Sequence, residues 1–196
     1  MKEINVKGTA RAAFGKKAAH EIRKANAVPC NLYGEAKDEN GAPVALPFTV
    51  TNDELRNLIY SPDIYAVNLN IDGKECKAIL KEIQFHPVKD NVLHVDFYEI
   101  TDTKPIVMEV PIKLNGLAEG VKAGGRLAAS VRKLKVKALP KDMPDEVVLD
   151  VTSLGVGKSI KVQDIHVEGV EILNAKSVVV AQVKLTRAAR AAQNAQ

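Results

Sequence analysis

The chain has no tryptophan, and only four tyrosines and four phenylalanines in 196 residues. Proteins that hold single-stranded nucleic acid without sequence preference stack its bases on aromatic rings, and so few rings exclude a surface of that kind. Cysteine is nearly absent too. Cys30 and Cys76 stand far apart with no CxxC pair, so there is no disulfide framework and no thiolate zinc site. His86 and His94 with a single neighbouring carboxylate fall short of a metal ligand set, and no cofactor is expected. No apolar run reaches the length of a membrane span, and the start Met1-Lys2-Glu3-Ile4-Asn5-Val6 lacks the apolar centre of a signal peptide. The expectation is a reducing, cytoplasmic setting with no membrane contact. Catalytic arrangements are missing as well. No Ser/His/Asp or Cys/His spacing appears and no two carboxylates are spaced for acid–base work, so neither an enzyme nor a small-molecule substrate is expected. Gly155-Val156-Gly157-Lys158-Ser159 imitates the end of a phosphate-binding loop, but Thr152 stands where that motif needs a glycine. Ile160-Lys161-Val162 then continues as a strand rather than a helix.

What is present is a globular composition, 46% hydrophobic, in a length that suits one large domain or two small ones. The net charge of +4 is unevenly spread. Residues 1–34 hold seven bases against two acids, residues 35–104 seven against thirteen, and residues 105–196 fourteen against nine. A basic arm before an acidic body suits an oriented contact with a polyanion. A solvated charged surface reads equally well from charge alone.

Taken in order, Ile4 to Ala10 reads as a strand and Arg11 to Gly15 as a loop. Ala18, Ile22 and Ala25 recur at helical spacing, placing Lys16, His20, Arg23 and Lys24 toward the other side of a helix that ends at Asn26. Ala27 to Gly34 and Val44 to Val50 are extended, with a turn at Asn40-Gly41; Tyr33 offers a ring and a hydroxyl for contact or for the core edge. Thr51-Asn52-Asp53-Glu54 has the spacing of a capping box, opening a second helix through Leu58 and Ile59. Tyr65 to Leu80 is a hairpin turning at Asp72-Gly73. The first hundred residues thus offer about six short strands and two helices, which a small barrel would close without exposed edges.

The most informative stretch follows. Gln84, His86, Lys89, His94 and Asp96 crowd into residues 84–96, with a break at His86-Pro87. Val92, His94 and Asp96 then alternate with Leu93, Val95 and Phe97, which puts His94 and Asp96 together on one strand face. A mutually bonded surface pair and a recognition site both fit. Beyond a polar join at Glu99–Lys104 the pattern is nearly all β: Val110 to Leu114, Leu134 to Ala138 with Lys133, Lys135 and Lys137 on its other face, Val147 to Val151, Ile160 to Val167 and Ser177 to Leu185. The strand lysines suit partner contact or protection of a sheet edge. Gly120 to Arg126 reads as a flexible loop. The expected fold is mainly β with a few short helices: an N-terminal six-stranded β-barrel in residues 1–100, a β-rich C-terminal domain in 101–186, and a frayed or disordered tail in 187–196.

These residues together resemble the bacterial large-subunit ribosomal protein L twenty-five family in its long two-domain CTC form. The resemblance is carried by Gly15-Lys16 with Arg23, Val28-Pro29 through Leu32-Tyr33-Gly34, and Gln84-x-His86-Pro87 followed by His94-x-Asp96-Phe97. It implies binding to 5S rRNA at the internal loop with non-Watson–Crick pairs, loop E, within the large ribosomal subunit beside neighbouring ribosomal proteins. Lys16, Arg23 and Lys24 would hold phosphates, with His20 and Lys89 as further donors. Arg11, Tyr33, Gln84, His86, His94 and Asp96 would give oriented hydrogen bonds to sugars and bases. A cytoplasmic β-rich protein-interaction module is the competing reading, and it leaves the Gln84–Asp96 arrangement without a purpose. One departure stands out: many relatives carry an arginine pair where this chain has His20-Glu21. Its RNA affinity should therefore fall less steeply with salt than that of a relative with the pair. Equal slopes of log affinity against log salt would overturn this.

Overall fold

A computed structural model describes residues 1–37, 41 and 43–186. The expected tail at 187–196 lies outside the described residues, as does Asn40 of the expected turn at Asn40-Gly41. The chain forms two compact units, Met1–Lys104 and Pro105–Gln196.

The first unit runs β1 (Lys2–Ala10), α1 (Lys16–Lys24), β2 (Ala27–Lys37), β3 (Pro43–Thr51), α2 (Asn52–Ile59), β4 (Tyr65–Ile71), β5 (Lys74–Phe85) and β6 (Val92–Glu99). The six strands form a closed barrel in the order β1-β3-β2-β6-β5-β4, as expected. Four pairings are antiparallel, while β1–β4 and β2–β6 run parallel. Alternate residues point inward, so Val6, Val28, Phe48, Leu69, Val95 and Phe97 meet in a shared core, with the Phe48 and Phe97 rings 5.7 Å apart. Leu55 and Leu58 of α2 belong to the same core. The β4–β5 turn has positive φ at both Asp72 and Gly73, the backbone that an Asp-Gly hairpin favours.

The capping box does not form. Thr51 makes no side-chain cap bond, and the Glu54 carboxylate accepts from the Lys7 backbone N–H instead. β1 meets β3 only at Thr9 and Ala10, so Lys7 has no strand partner on that side and draws Glu54 across. The helix start is held through Asn26, whose carbonyl accepts the Asn52 N–H while its side chain accepts from Asn52 Nδ2 at 2.8 Å.

The second unit holds β7 (Ile106–Asn115), α3 (Glu119–Lys122), β8 (Arg126–Ala129), β9 (Lys133–Ala138), β10 (Val147–Asp150), β11 (Ser159–Lys161), a 3-10 turn (Val162–Asp164), β12 (Glu171–Ile172) and β13 (Val179–Lys184). Its sheets run β10-β7-β9-β12 and β11-β13-β8. Two expectations need correction. Gly120–Arg126 is not an open loop: α3 begins it, and a Cβ on Gly120 would lie 2.7 Å from the Gly155 and Val156 backbone, so glycine there permits close packing. The strand expected over Ile160–Val167 stops at Lys161, where the Asp164 carboxylate accepts the Lys161 N–H and turns the chain. Ser159 opens β11 rather than a helix, in keeping with the rejected phosphate loop. The lysine-faced strand is largely neutralised: Lys135 lies 3.9 Å from Glu109 and Lys137 3.5 Å from Glu171, each pair directly in register.

Cys30 is fully buried in the barrel, and burial pushes its thiol from 9.0 up to about 12, with the Asp96 charge adding and Arg11 opposing. The folded state therefore holds the thiol proton more tightly than the unfolded chain. That contribution is intact below pH 9.0 and is lost as pH rises toward about 12. Stability measured by urea unfolding should fall more steeply above pH 9 in the wild type than in Cys30→Ala; parallel curves would contradict the assignment.

Candidate nucleic-acid interface

Three adjacent barrel strands, β2, β6 and β5, carry Tyr33, Gln84, His94 and Asp96 of the residues singled out from the sequence. Register decides who meets whom. Gln84 stands directly opposite His94, and Glu82 opposite Asp96. On the other side Asp96 is level with Asn31, and Tyr33 with Tyr98. The His94 Nδ1 lies 3.5 Å from Asp96 Oδ1, with only 20% and 18% of the two side chains exposed. His94 and Asp96 are therefore a close-set, mostly shielded pair, with the exposed Gln84 and Glu82 across from them. The Tyr33 and Tyr98 rings meet edge to face at 6.3 Å. Partial burial, then the charges of Asp96 and Glu82, raise the Tyr33 phenol above its ordinary value, which ties that hydroxyl to the same acidic spot.

The simple alternation expected for Val92–Phe97 is broken at one point. Phe85 pairs with Val92 but Gln84 with His94, so Leu93 has no opposite residue. The bulge turns Val92 into the core beside Val95 and Phe97, off the face that carries His94. It also frees the Leu93 carbonyl, and Arg23 Nε donates to it at 3.0 Å. Arg23 thus fastens α1 to the strand that carries His94 and Asp96.

That helix starts at Gly15, whose φ of 93° and ψ of −179° suit glycine alone. It has no acidic residue in its first turn, and Ala18 and Ile22 are half-buried as the expected stripe requires, though Ala25 is exposed. Lys16, His20 and Lys24 recur every fourth residue and all are exposed, with Arg23 beside them. Arg11, just past β1, is pinned in a different way. Its backbone N–H reaches the Pro47 carbonyl and its Nη2 the Ala13 carbonyl, with the guanidinium 5.8 Å from the Phe14 ring centroid. Its Nε is buried without a hydrogen-bond partner among the described residues. His86 and Lys89 lie in the β5–β6 connection, not on a strand, and Lys89 is exposed.

Asn31, Glu82 and Tyr98 share this face and escaped the sequence reading. Each stands two residues from a recognised one (Tyr33, Gln84 and Asp96), so the two-residue strand period was the signal that would have found them. No group of three or more His, Cys, Asp or Glu among the described residues is placed to hold a metal.

Fold and surface define a two-domain β protein whose barrel presents an oriented polar strand face beside a basic helix. Known proteins are similar to this chain along almost its whole length. The Ribosomal L25p family profile matches residues 6–97, and that of the ribosomal protein TL5 C-terminal domain matches 105–187. The large ribosomal subunit protein bL25 of Phocaeicola vulgatus is 64% identical over 98% of this chain and 97% of its own length. Those of Bacteroides thetaiotaomicron and Porphyromonas gingivalis are 56% and 53% identical, each over 98% of this chain and 97% of theirs. The chain belongs to the ribosomal L25p family, and so is a ribosomal protein and not an enzyme.

Arg23→Ala removes the bond to Leu93. The α1 amides should then exchange with solvent roughly fivefold faster, equivalent to about 1 kcal/mol for one charge-assisted bond at a wet surface. Unchanged exchange would mean that the helix is held without it.

Proposed function

We propose that this protein is a constituent of the large ribosomal subunit and that its barrel, residues 1–100, binds 5S rRNA at loop E. The observation that carries the reading is the registered row of Gln84, His94 and Asp96, fastened by Arg23 to a helix bearing Lys16, His20 and Lys24. The large-subunit name of its relatives supports the first half of the proposal.

A regular A-form helix keeps base edges out of reach in its major groove, while irregular pairs open them. The two halves of the interface suit the two kinds of contact. Lys16, Arg23, Lys24 and Lys89 neutralise phosphates and set register, with His20 as a further donor; Arg11, Tyr33, Gln84, His94 and Asp96 supply directional bonds that select the site, and His86 stands in the turn between Gln84 and His94. Asp96 and Glu82 are side by side and repel phosphate, so that part of the face is suited to amino groups on base edges. Asp96 also holds the His94 ring, leaving its Nε2 for the RNA. Within the subunit the protein is proposed to meet neighbouring ribosomal proteins.

The test is binding of the full chain to a hairpin carrying loop E beside a fully paired hairpin of equal length, across a salt series. Preference for loop E should persist at high salt, and Gln84→Ala should reduce it by about tenfold, the value of one good base contact. Equal affinity for both hairpins, vanishing with salt, would reduce the protein to a basic surface on a polyanion.

A further inference from the structure

Between β5 and β6 the chain reverses over His86-Pro87-Val88-Lys89-Asp90-Asn91. Every backbone N–H from 86 to 90 has an identified acceptor. Pro87 has none to place. The Val88 and Lys89 N–H groups both donate to the His86 Nδ1, at 3.2 Å each. The Asp90 N–H donates to the His86 carbonyl at 3.0 Å, and the His86 N–H to the Asn91 carbonyl at 2.8 Å. Asp90 takes a left-handed φ of 54°, a region that aspartate enters more readily than most residues. The turn is closed almost wholly on one residue, without burial to help: Val88 is 83% exposed.

We infer that His86 is a positioning residue for the interface: its Nδ1 lone pair caps this turn and so fixes where Lys89 and the start of β6 stand relative to Gln84 and His94. A nitrogen that accepts two N–H groups carries no proton, so the ring is neutral with its hydrogen on Nε2. Outward it offers one donor and no acceptor. Lys89 follows in the same turn, and the bulge that aligns Gln84 with His94 lies just beyond its end. Losing the cap would leave two N–H groups without a protein acceptor at the point where the strand register is set. The inference rests on the RNA-binding reading and adds that His86 serves it chiefly through the turn.

Asparagine separates the two roles. Its Oδ1 sits where Nδ1 sits and accepts from the same two N–H groups, as in an Asx turn, but it has nothing in place of Nε2–H. Three full-length chains are compared: wild type, His86→Asn and His86→Ala. The 15N spectrum of the free wild type should show the Nε2–H tautomer. His86→Asn should keep the Val88 and Lys89 amide signals and bind the loop E hairpin within about threefold of wild type, whereas His86→Ala should lose about tenfold, equivalent to the 1.4 kcal/mol of a decade. An Nδ1–H tautomer, an alanine variant that binds as wild type does, or an asparagine variant that retains the turn yet binds as poorly as alanine would overturn the inference. Should His86→Ala fail to fold, the tautomer and the asparagine variant still decide it. A wild-type chain indifferent to loop E would sink the functional reading, and with it the RNA half of this inference; the tautomer would still report on the cap.

Discussion

Closure of the barrel by β1 is the constraint on which the rest of the first unit depends. Residues Lys2 to Gly8 pair in parallel with Tyr65 to Ile71, an unbroken seven-residue register, and Thr9 and Ala10 then reach β3. Parallel neighbours cannot be joined by a tight turn, so closure brings together segments some sixty residues apart. With no edge left, the strand curvature is set, and β2, β6 and β5 present one continuous outer face. The same pairing explains an unexpected bond: β1 is unpaired toward β3 before Thr9, and Glu54 leaves its helix to satisfy Lys7.

On that frame the candidate interface is assembled by side chains that reach backbone groups the sheet has left over. Arg23 takes the Leu93 carbonyl that the bulge releases, and Asn26 and Asn52 join the end of α1 to the start of α2. The His86 ring gathers the N–H groups of the turn. Buried and half-buried backbone groups need partners, and here the partners come from residues that also shape the surface. Several positions thus carry two duties, and a substitution there changes geometry as well as chemistry.

Charge is divided in the same spirit. The basic helix offers a field that attracts any phosphate backbone, while the strand row beside it carries Asp96 and Glu82 and penalises indiscriminate approach. Attraction without that penalty would give affinity with little selection. In the second unit Lys135 and Lys137 find glutamates directly across and so serve the sheet they stand on.

Much of this was legible in the chain. Alternation, the Asp72-Gly73 turn and the His86-Pro87 break sufficed for the strands of the barrel, and the density of polar groups in 84–96 marked the candidate face. What one-dimensional reading missed has a common cause. The Thr51–Glu54 box, the run from Ile160 and the glycine loop at 120 were judged by residue pattern alone; the box was overruled by Lys7, distant in sequence, the loop by close packing, and the run by a bond from the Lys161 N–H to the Asp164 carboxylate that alternation does not mark. The bulge at Leu93 is the clearest case: one unpaired residue sends Val92 inward and gives Arg23 its acceptor, and no periodicity announces it. The barrel strands, the charge division and the chemistry of the candidate groups could be read from the chain alone, because they follow from side-chain type and spacing along one segment. Which groups face one another was decided only by tertiary structure, because register between strands is fixed by closure and packing of the whole barrel.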